Sequence, residues 1–160
     1  MMGINHITLW KLEQMGLKLP KVPMDMKNWA RCKRAGNLIF MGTTGPWPIT
    51  NKTVEGKKRG AIGRELTVEE GRFTCKMCAL SMLAALKNEL GDLDKIDQIV
   101  KIEVYINSIG GESGPYIKVA DAASDFFIEL FGENGRATRT ITPNFSDVSI
   151  ELDMIVSVKD

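Results

Sequence analysis

Two side chains near the C-terminus, Arg139 and Glu151, are the pair best suited to chemistry in this chain. A guanidinium offers a planar fork of donors that matches a carboxylate, and a glutamate ionised at neutral pH accepts a proton from water. Together they describe a site that grips a small carboxylate and activates water. Other candidates are weaker. His6 is the single histidine, so a Ser-His or Cys-His nucleophile pair would have to recruit it from the N-terminal segment; a surface histidine is the simpler reading. Cys75 and Cys78 form a CxxC without a second ligand pair, leaving His6 and Cys32 as the remaining soft donors. The motif lies inside a helical pattern, where the macrodipole gives a thiolate no help, so helix packing is expected and no metal. The glycine-rich Ser108 to Gly114 precedes a helix but matches neither the P-loop nor GxGxxG, and reads as a connection. The basic run Lys57-Lys58-Arg59 reads as a solvated turn.

Several elements must position the arginine and the glutamate. From Val148 to Val158 the even positions are apolar, with Ser149, Glu151, Asp153 and Ser157 between them, the period of a strand with one buried face. Glu151 therefore points away from the core. Thr138 to Thr142 is β-branched and carries Arg139; the turn residues Pro143-Asn144 predict that it folds back antiparallel on the last strand, so that Arg139 and Glu151 face one cleft. Upstream, Trp29 to Arg34, the turn Ala35-Gly36-Asn37 and Leu38 to Met41 predict a hairpin. Gly42 to Gly63 reads as loop. Thr67-Val-Glu-Glu70 is a capping box opening the clearest helix, which Gly91 ends. Ile96 to Asn107 alternates as a third strand, and Pro115 starts a second helix that stops at Gly132. Leu9 to Leu17 allows a short helix.

This order of elements predicts an α+β sandwich, two helices on one face of a sheet. The opposite face is expected to carry Ile39, Met41 and Ile155 uncovered, which calls for oligomerisation. At 160 residues and 44% hydrophobic, one domain is expected: an N-terminal arm over 1–25 and the folded body over 26–160. The net charge of +1 supplies no global attraction to nucleic acid or anionic membrane, no apolar run reaches the ~18 residues that span a bilayer, and three cysteines suit a reducing compartment. These features point to a cytoplasmic protein.

From Trp29 to Val158 the chain resembles the RidA (YjgF) family of reactive-intermediate deaminases, in its longer YjgF-like branch. The resemblance rests on Ala35-Gly-Asn-Leu-Ile-Phe40, Gly63-Arg-Glu-Leu-Thr-Val-Glu-Glu-Gly71, Cys78 to Leu93, and Arg139 followed by Ile150-Glu-Leu-Asp153. It implies a chorismate-mutase-like fold, a mixed β-sheet with two helices on one face, assembling as a homotrimer with clefts between subunits. It further implies cofactor-free hydrolysis of enamine and imine intermediates to 2-keto acids and ammonia, of the 2-iminobutanoate/2-iminopropanoate deaminase kind. Arg139 would grip the substrate carboxylate, Glu151 would handle the hydrolytic water, and Trp29, Gly42, Thr43 and Ile141 would line the substrate. The chain departs from the family pattern in three places. Trp29 replaces a tyrosine, Gly42 replaces the serine of "SGQ", and the turn between the Arg139 and Glu151 segments is three residues shorter. These departures motivate an alternative, a trimer that binds a small carboxylate or a protein without turnover. RNA cleavage, attached to some relatives, would need Lys33, Arg34, Lys52, Lys57, Lys58 and Arg59 to converge, and the balanced charge argues against it.

Overall fold

The computed structural model of the protein describes residues 6–46, 59–110 and 114–159. Its elements in chain order are α1 (Ile7–Gln14), β1 (Asp25–Met26), β2 (Trp29–Ala30), β3 (Cys32–Ala35), β4 (Leu38–Thr44), α2 (Val68–Leu90), β5 (Ile96–Ile106), α3 (Tyr116–Phe131), β6 (Thr138–Pro143) and β7 (Ile150–Val158). Five strands make one sheet in the order β3-β4-β7-β5-β6, while β1 and β2 form a separate two-residue hairpin. The sheet is mixed, with β5 and β6 parallel and the remaining pairs antiparallel. Lys57 and Lys58 of the basic run, and 111–113 of the glycine-rich segment, lie outside the described residues.

The two long helices lie on the same face of the sheet for a reason visible in their residues. Thr67 accepts from the amide of Glu70 while the Glu70 carboxylate accepts from the amide of Thr67, so two of the orphan donors at the start of α2 are satisfied. At the other end Gly91 takes the left-handed conformation, φ 74°, which a side chain would strain. Between them Cys75, Cys78, Ala79, Met82, Leu83 and Leu86 are all buried. They meet Ile102, Val104 and Ile106 of β5, Leu152, Met154 and Val156 of β7, and Ala123, Phe126, Phe127 and Leu130 of α3, all in a single core cluster. At ~25 cal/mol per Å² of apolar surface, this layer supplies the main drive for folding.

The N-terminal segment is fastened to that body. The Asp94 carboxylate accepts from the amides of Ile7 (2.7 Å) and Thr8 (2.9 Å) and from the Thr8 hydroxyl, capping α1 from a distant part of the chain. His6, at the N-cap position of α1, offers no cap of its own. Leu12 of α1 is buried in the common core, and Lys11 Nζ donates to the Leu130 carbonyl at the end of α3.

Two sequence expectations require correction. First, β6 does not form a hairpin with β7. It pairs in parallel with β5, Ile102 beside Arg139 and Tyr105 beside Thr142, and β5 separates it from β7. Helix α3 crosses over the sheet and returns the chain parallel to β5, as such crossovers must. The Pro143-Asn144 turn then spans the end of β5, with the Asn144 amide donating to the Ile106 carbonyl. Second, Ile39 and Met41 face the helices, because they stand beside Val156 and Met154. The apolar residues of the helix-free face are Ile155, its cross-strand partner Phe40, 44% exposed, and the partly buried Leu38.

Candidate functional site

Glu151 sits on β7 directly opposite Tyr105 of β5, on the helix-free face, as the strand period predicts. Asn144 Nδ2 lies 3.3 Å from its Oε2 and is the one donor to it among the described residues. The same face is rich in hydrogen-bonded polar groups. Tyr105 donates its hydroxyl to Asp153 (2.8 Å), Thr142 donates to Glu103 (2.7 Å), and Lys101 pairs with Glu103 at 3.6 Å. Burial pushes the Asp153 carboxyl up; the bond from Tyr105 and the charge of Lys101 pull it down, Glu103 directly across adds to the rise, and the net shift is upward. Burial and the bond to Asp153 push the Tyr105 phenol up as well.

Arg139 is elsewhere. Because it stands beside Ile102, whose side chain is buried under the helices, its own side chain lies on the helix side of edge strand β6. There Nη1 donates to Asp121 and to Ser124 of α3, both at 2.9 Å. Nε and Nη2 make no bond among the described residues, and the side chain is 23% exposed, so half of the fork stays open. Ile141, beside Val104, shares this side and is partly buried. The expectation that Arg139 and Glu151 face one cleft within the chain is therefore corrected: they lie on opposite faces of the sheet, on strands separated by β5.

Trp29, Gly42 and Thr43 do come together, at the β4 end. Gly42 and Thr43 fall in an irregularity of the β4 register between Met41 and Thr44, a feature common beside functional sites. A Cβ on Gly42 would approach a Trp29 ring carbon at 2.9 Å, so glycine at this position is what lets the indole lie over the strand. Trp29 remains 46% exposed and Thr43 is exposed. Sequence reasoning missed Arg31, which is 4% exposed beneath this cluster. Its Nε donates to Pro23 O (2.7 Å), Nη1 to Thr44 Oγ1, and Nη2 approaches Met26 Sδ, while its guanidinium lies 5.5 Å from the Trp29 ring centre. These contacts tie the N-terminal segment to β4. No periodic signal could have distinguished Arg31 from its neighbours Lys33 and Arg34.

The remaining sequence candidates serve structure. Cys75 and Cys78 are fully buried; burial pushes the first thiol up to about 12 and the second well above the ordinary range, so neither is a poised thiolate. Among the described residues, His6, Asp92 and Asp94 bring ligand atoms within 4.8 Å of one another. Both Asp94 oxygens, however, already accept from Ile7 and Thr8, and Asp92 caps the short turn Leu93–Lys95. Before α2 and α3, Gly63, Val68, Ile109, Gly114, Pro115 and Ile117 line a groove of about 840 Å³. Its exposed isoleucines suit apolar contact better than phosphate.

A mixed five-stranded sheet with both long helices packed on one face makes this a two-layer α+β protein. The chain belongs to the family described as "YjgF/chorismate_mutase-like, putative endoribonuclease", which it matches over residues 10–156. Protein TCP17 of Trypanosoma cruzi is 33% identical over 129 residues, 80% of this chain and 78% of that one. Among solved structures, a protein of unknown function from Agrobacterium tumefaciens is 26% identical with TM-score 0.82, covering 96% of this chain and 94% of that one. A Shewanella oneidensis protein named an endoribonuclease of the same provisional kind is 28% identical, TM-score 0.83, covering 94% and 99%. The structure of Escherichia coli TdcF with bound serine shares the fold at 17% identity and TM-score 0.52, covering 89% and 99%. Among the described residues no helix is long and apolar enough to cross a membrane.

Proposed function

We propose that the protein is a homotrimeric, cofactor-free hydrolase of small 2-imino acids, with each active site completed between two copies. The observation that carries this reading is the separation of the candidate residues. Arg139 and Ile141 lie at the β6 edge of the sheet, whereas Trp29, Gly42 and Thr43 lie at the β4 side, with Glu151 on the intervening β7. At ~4.8 Å per strand the two groups stand roughly 14 Å apart, too far to hold one small acid. A head-to-tail contact that sets the β6 edge of one copy against the β4 side of the next closes into a ring and reunites them. The uncovered Phe40, Ile155 and Leu38 supply apolar surface for such an assembly.

In the cleft so formed, the open half of the Arg139 fork grips the substrate carboxylate. Glu151 takes a proton from water as its oxygen attacks the C=N carbon. It returns that proton to the nitrogen, giving a carbinolamine; Glu151 then takes the hydroxyl proton and passes it to the amine, so that the C–N bond breaks, ammonia leaves and the C=O of the keto acid forms. Proton handling of this kind is worth about 10² to 10⁴ in rate. Cleavage of RNA is less favoured, since on the helix-free face Lys101 and Lys33 stand with Glu103, Glu151 and Asp153, Lys101 is paired with Glu103, and Arg59 is already paired with Asp147 at 3.7 Å.

The test is Glu151→Gln, assayed with freshly generated 2-aminoacrylate and bulkier 2-imino acids. Turnover is expected to fall by at least about 10², with keto-acid affinity by calorimetry within a few-fold. Unchanged turnover removes the glutamate from the mechanism. A wild type that binds keto acids through Arg139 but turns over no imine leaves the non-catalytic carboxylate binder, which the indole over Gly42 would then explain.

A further inference from the structure

The β6–β7 turn holds a residue that the mechanism has not yet used. Asn144 is fixed at four points: its amide N–H donates to the Ile106 carbonyl (2.9 Å), its Oδ1 accepts from the amide of Ser146 (3.0 Å), and its Nδ2 donates to the Val148 carbonyl (3.2 Å) and to Glu151 Oε2 (3.3 Å). The turn itself is anchored from outside, with Asn107 Nδ2 donating to the Ser146 carbonyl and the Gly60 amide to the Asp147 carbonyl. Asn144 is thus a rigid donor whose position is set by the ends of β5 and β7, and it is the side chain that touches the candidate base.

We infer that Asn144 is the positioning residue for Glu151, holding Oε2 so that Oε1 is presented to the attacking water. This rests on the hydrolase reading above. A carboxylate on a strand otherwise turns freely about its outer side-chain torsions, and a proton acceptor must sit within about 3 Å of the proton it removes. One fixed donor removes that freedom, because an amide N–H directed at Oε2 leaves Oε1 as the oxygen turned outward. The neighbouring groups on this face do not substitute for it. Tyr105, directly opposite Glu151, turns its hydroxyl to Asp153, and Thr142 gives its hydroxyl to Glu103.

Two measurements test it. In the first, the side-chain amide of Asn144 is followed by ¹⁵N–¹H NMR through an acid titration of the intact protein. In the wild type its resonances are expected to move with a carboxylate titration that disappears in Glu151→Gln. An identical titration in Glu151→Gln overturns the contact, whether or not the protein is a hydrolase. In the second, Asn144→Asp keeps the size and the Oδ1 acceptor but replaces the donor. It is expected to lower kcat by about tenfold or more with KM within about threefold, and Asn144→Asp/Glu151→Gln is expected to be no slower than Glu151→Gln alone. Losses that multiply in the double variant, or a kcat unchanged in Asn144→Asp, overturn the positioning role. An inactive wild type refutes the hydrolase reading and leaves the first measurement to decide the contact.

Discussion

Co-expression of Arg139→Met with Glu151→Gln decides whether one active site draws on two chains. Within a chain, Arg139 and Glu151 lie on opposite faces and on strands separated by β5, two strand spacings or about 10 Å apart in the sheet alone. If each cleft takes its arginine from one copy and its glutamate from the next, a mixed cleft is whole when the first copy carries Glu151→Gln and the second Arg139→Met. In a ring of three that holds both kinds of chain, about one third of the clefts meet both conditions, whichever chain is in the minority. Activity of these mixed trimers is expected to rise from the percent level of either parent to roughly a third of wild type. If one chain supplied both groups, no cleft in the mixture would be whole. Neither substitution should unfold the chain. Losing Arg139 leaves Asp121 without its partner, but that side chain is 42% exposed, and such pairs contribute about 1 kcal/mol or less. The assay is imine turnover by mixed trimers isolated with two different affinity tags. Mixed trimers no more active than their parents refute assembly of the site across copies.

Three further outcomes follow from the same geometry. Phe40→Glu and Ile155→Glu place charge on the uncovered sheet face and are expected to weaken self-association by at least tenfold, on the order of what one lost apolar anchor costs, while circular dichroism stays native; light scattering that finds an unchanged assembly, or a monomeric wild type, rejects the interface. Burial alone would raise the Asp94 carboxyl, but its bonds from Thr8 and Ile7 outweigh this and hold it below the ordinary value, so its contribution is present above the unfolded value of about 4 and is lost as pH falls through the lower folded one. Asp94→Ala should therefore cost about 1 to 2 kcal/mol at neutral pH, lower Tm by several degrees, and show its smallest difference from wild type in acid; an equal difference at pH 7 and pH 2.5 contradicts this. Cys75 and Cys78, buried with raised thiol pKa values, are expected to escape alkylation in the native protein and to react after denaturation, with half-buried Cys32, pushed up to about 11 by burial and by Glu89 against the pull of Arg31, reacting slowly. Native-state labelling of Cys75 or Cys78 detected by mass spectrometry would show that α2 is less tightly covered than described.

Local pattern was enough to make much of this protein legible. The capping box and Gly91 bound α2, the alternation from Val148 to Val158 put Glu151 on the face away from the helices, and the Ala35 to Phe40 run carried both the hairpin and the family. Each depends on neighbours within a few residues, through hydrogen bonds at helix ends or the two-residue period of a strand. Other features depended on which elements become neighbours. Thr138 to Thr142 has the same β-branched composition whether it pairs antiparallel with β7 or parallel with β5, and only the crossover of α3 selects the second. That choice sends Arg139 toward Asp121 and Ser124 and sets it on the opposite face from Glu151. Ile39 and Met41 likewise gave no sign of their face until Val156 and Met154 stood beside them, and Arg31 and Asn144 owe their roles to partners in other elements. The sequence by itself determined most of the elements and the side of its strand on which the candidate base lies, because those follow from short-range periodicity, while its motifs carried the resemblance to the family. Tertiary structure decided that the arginine and the glutamate of one chain do not meet, because strand order and the parity of each register are set by long-range packing.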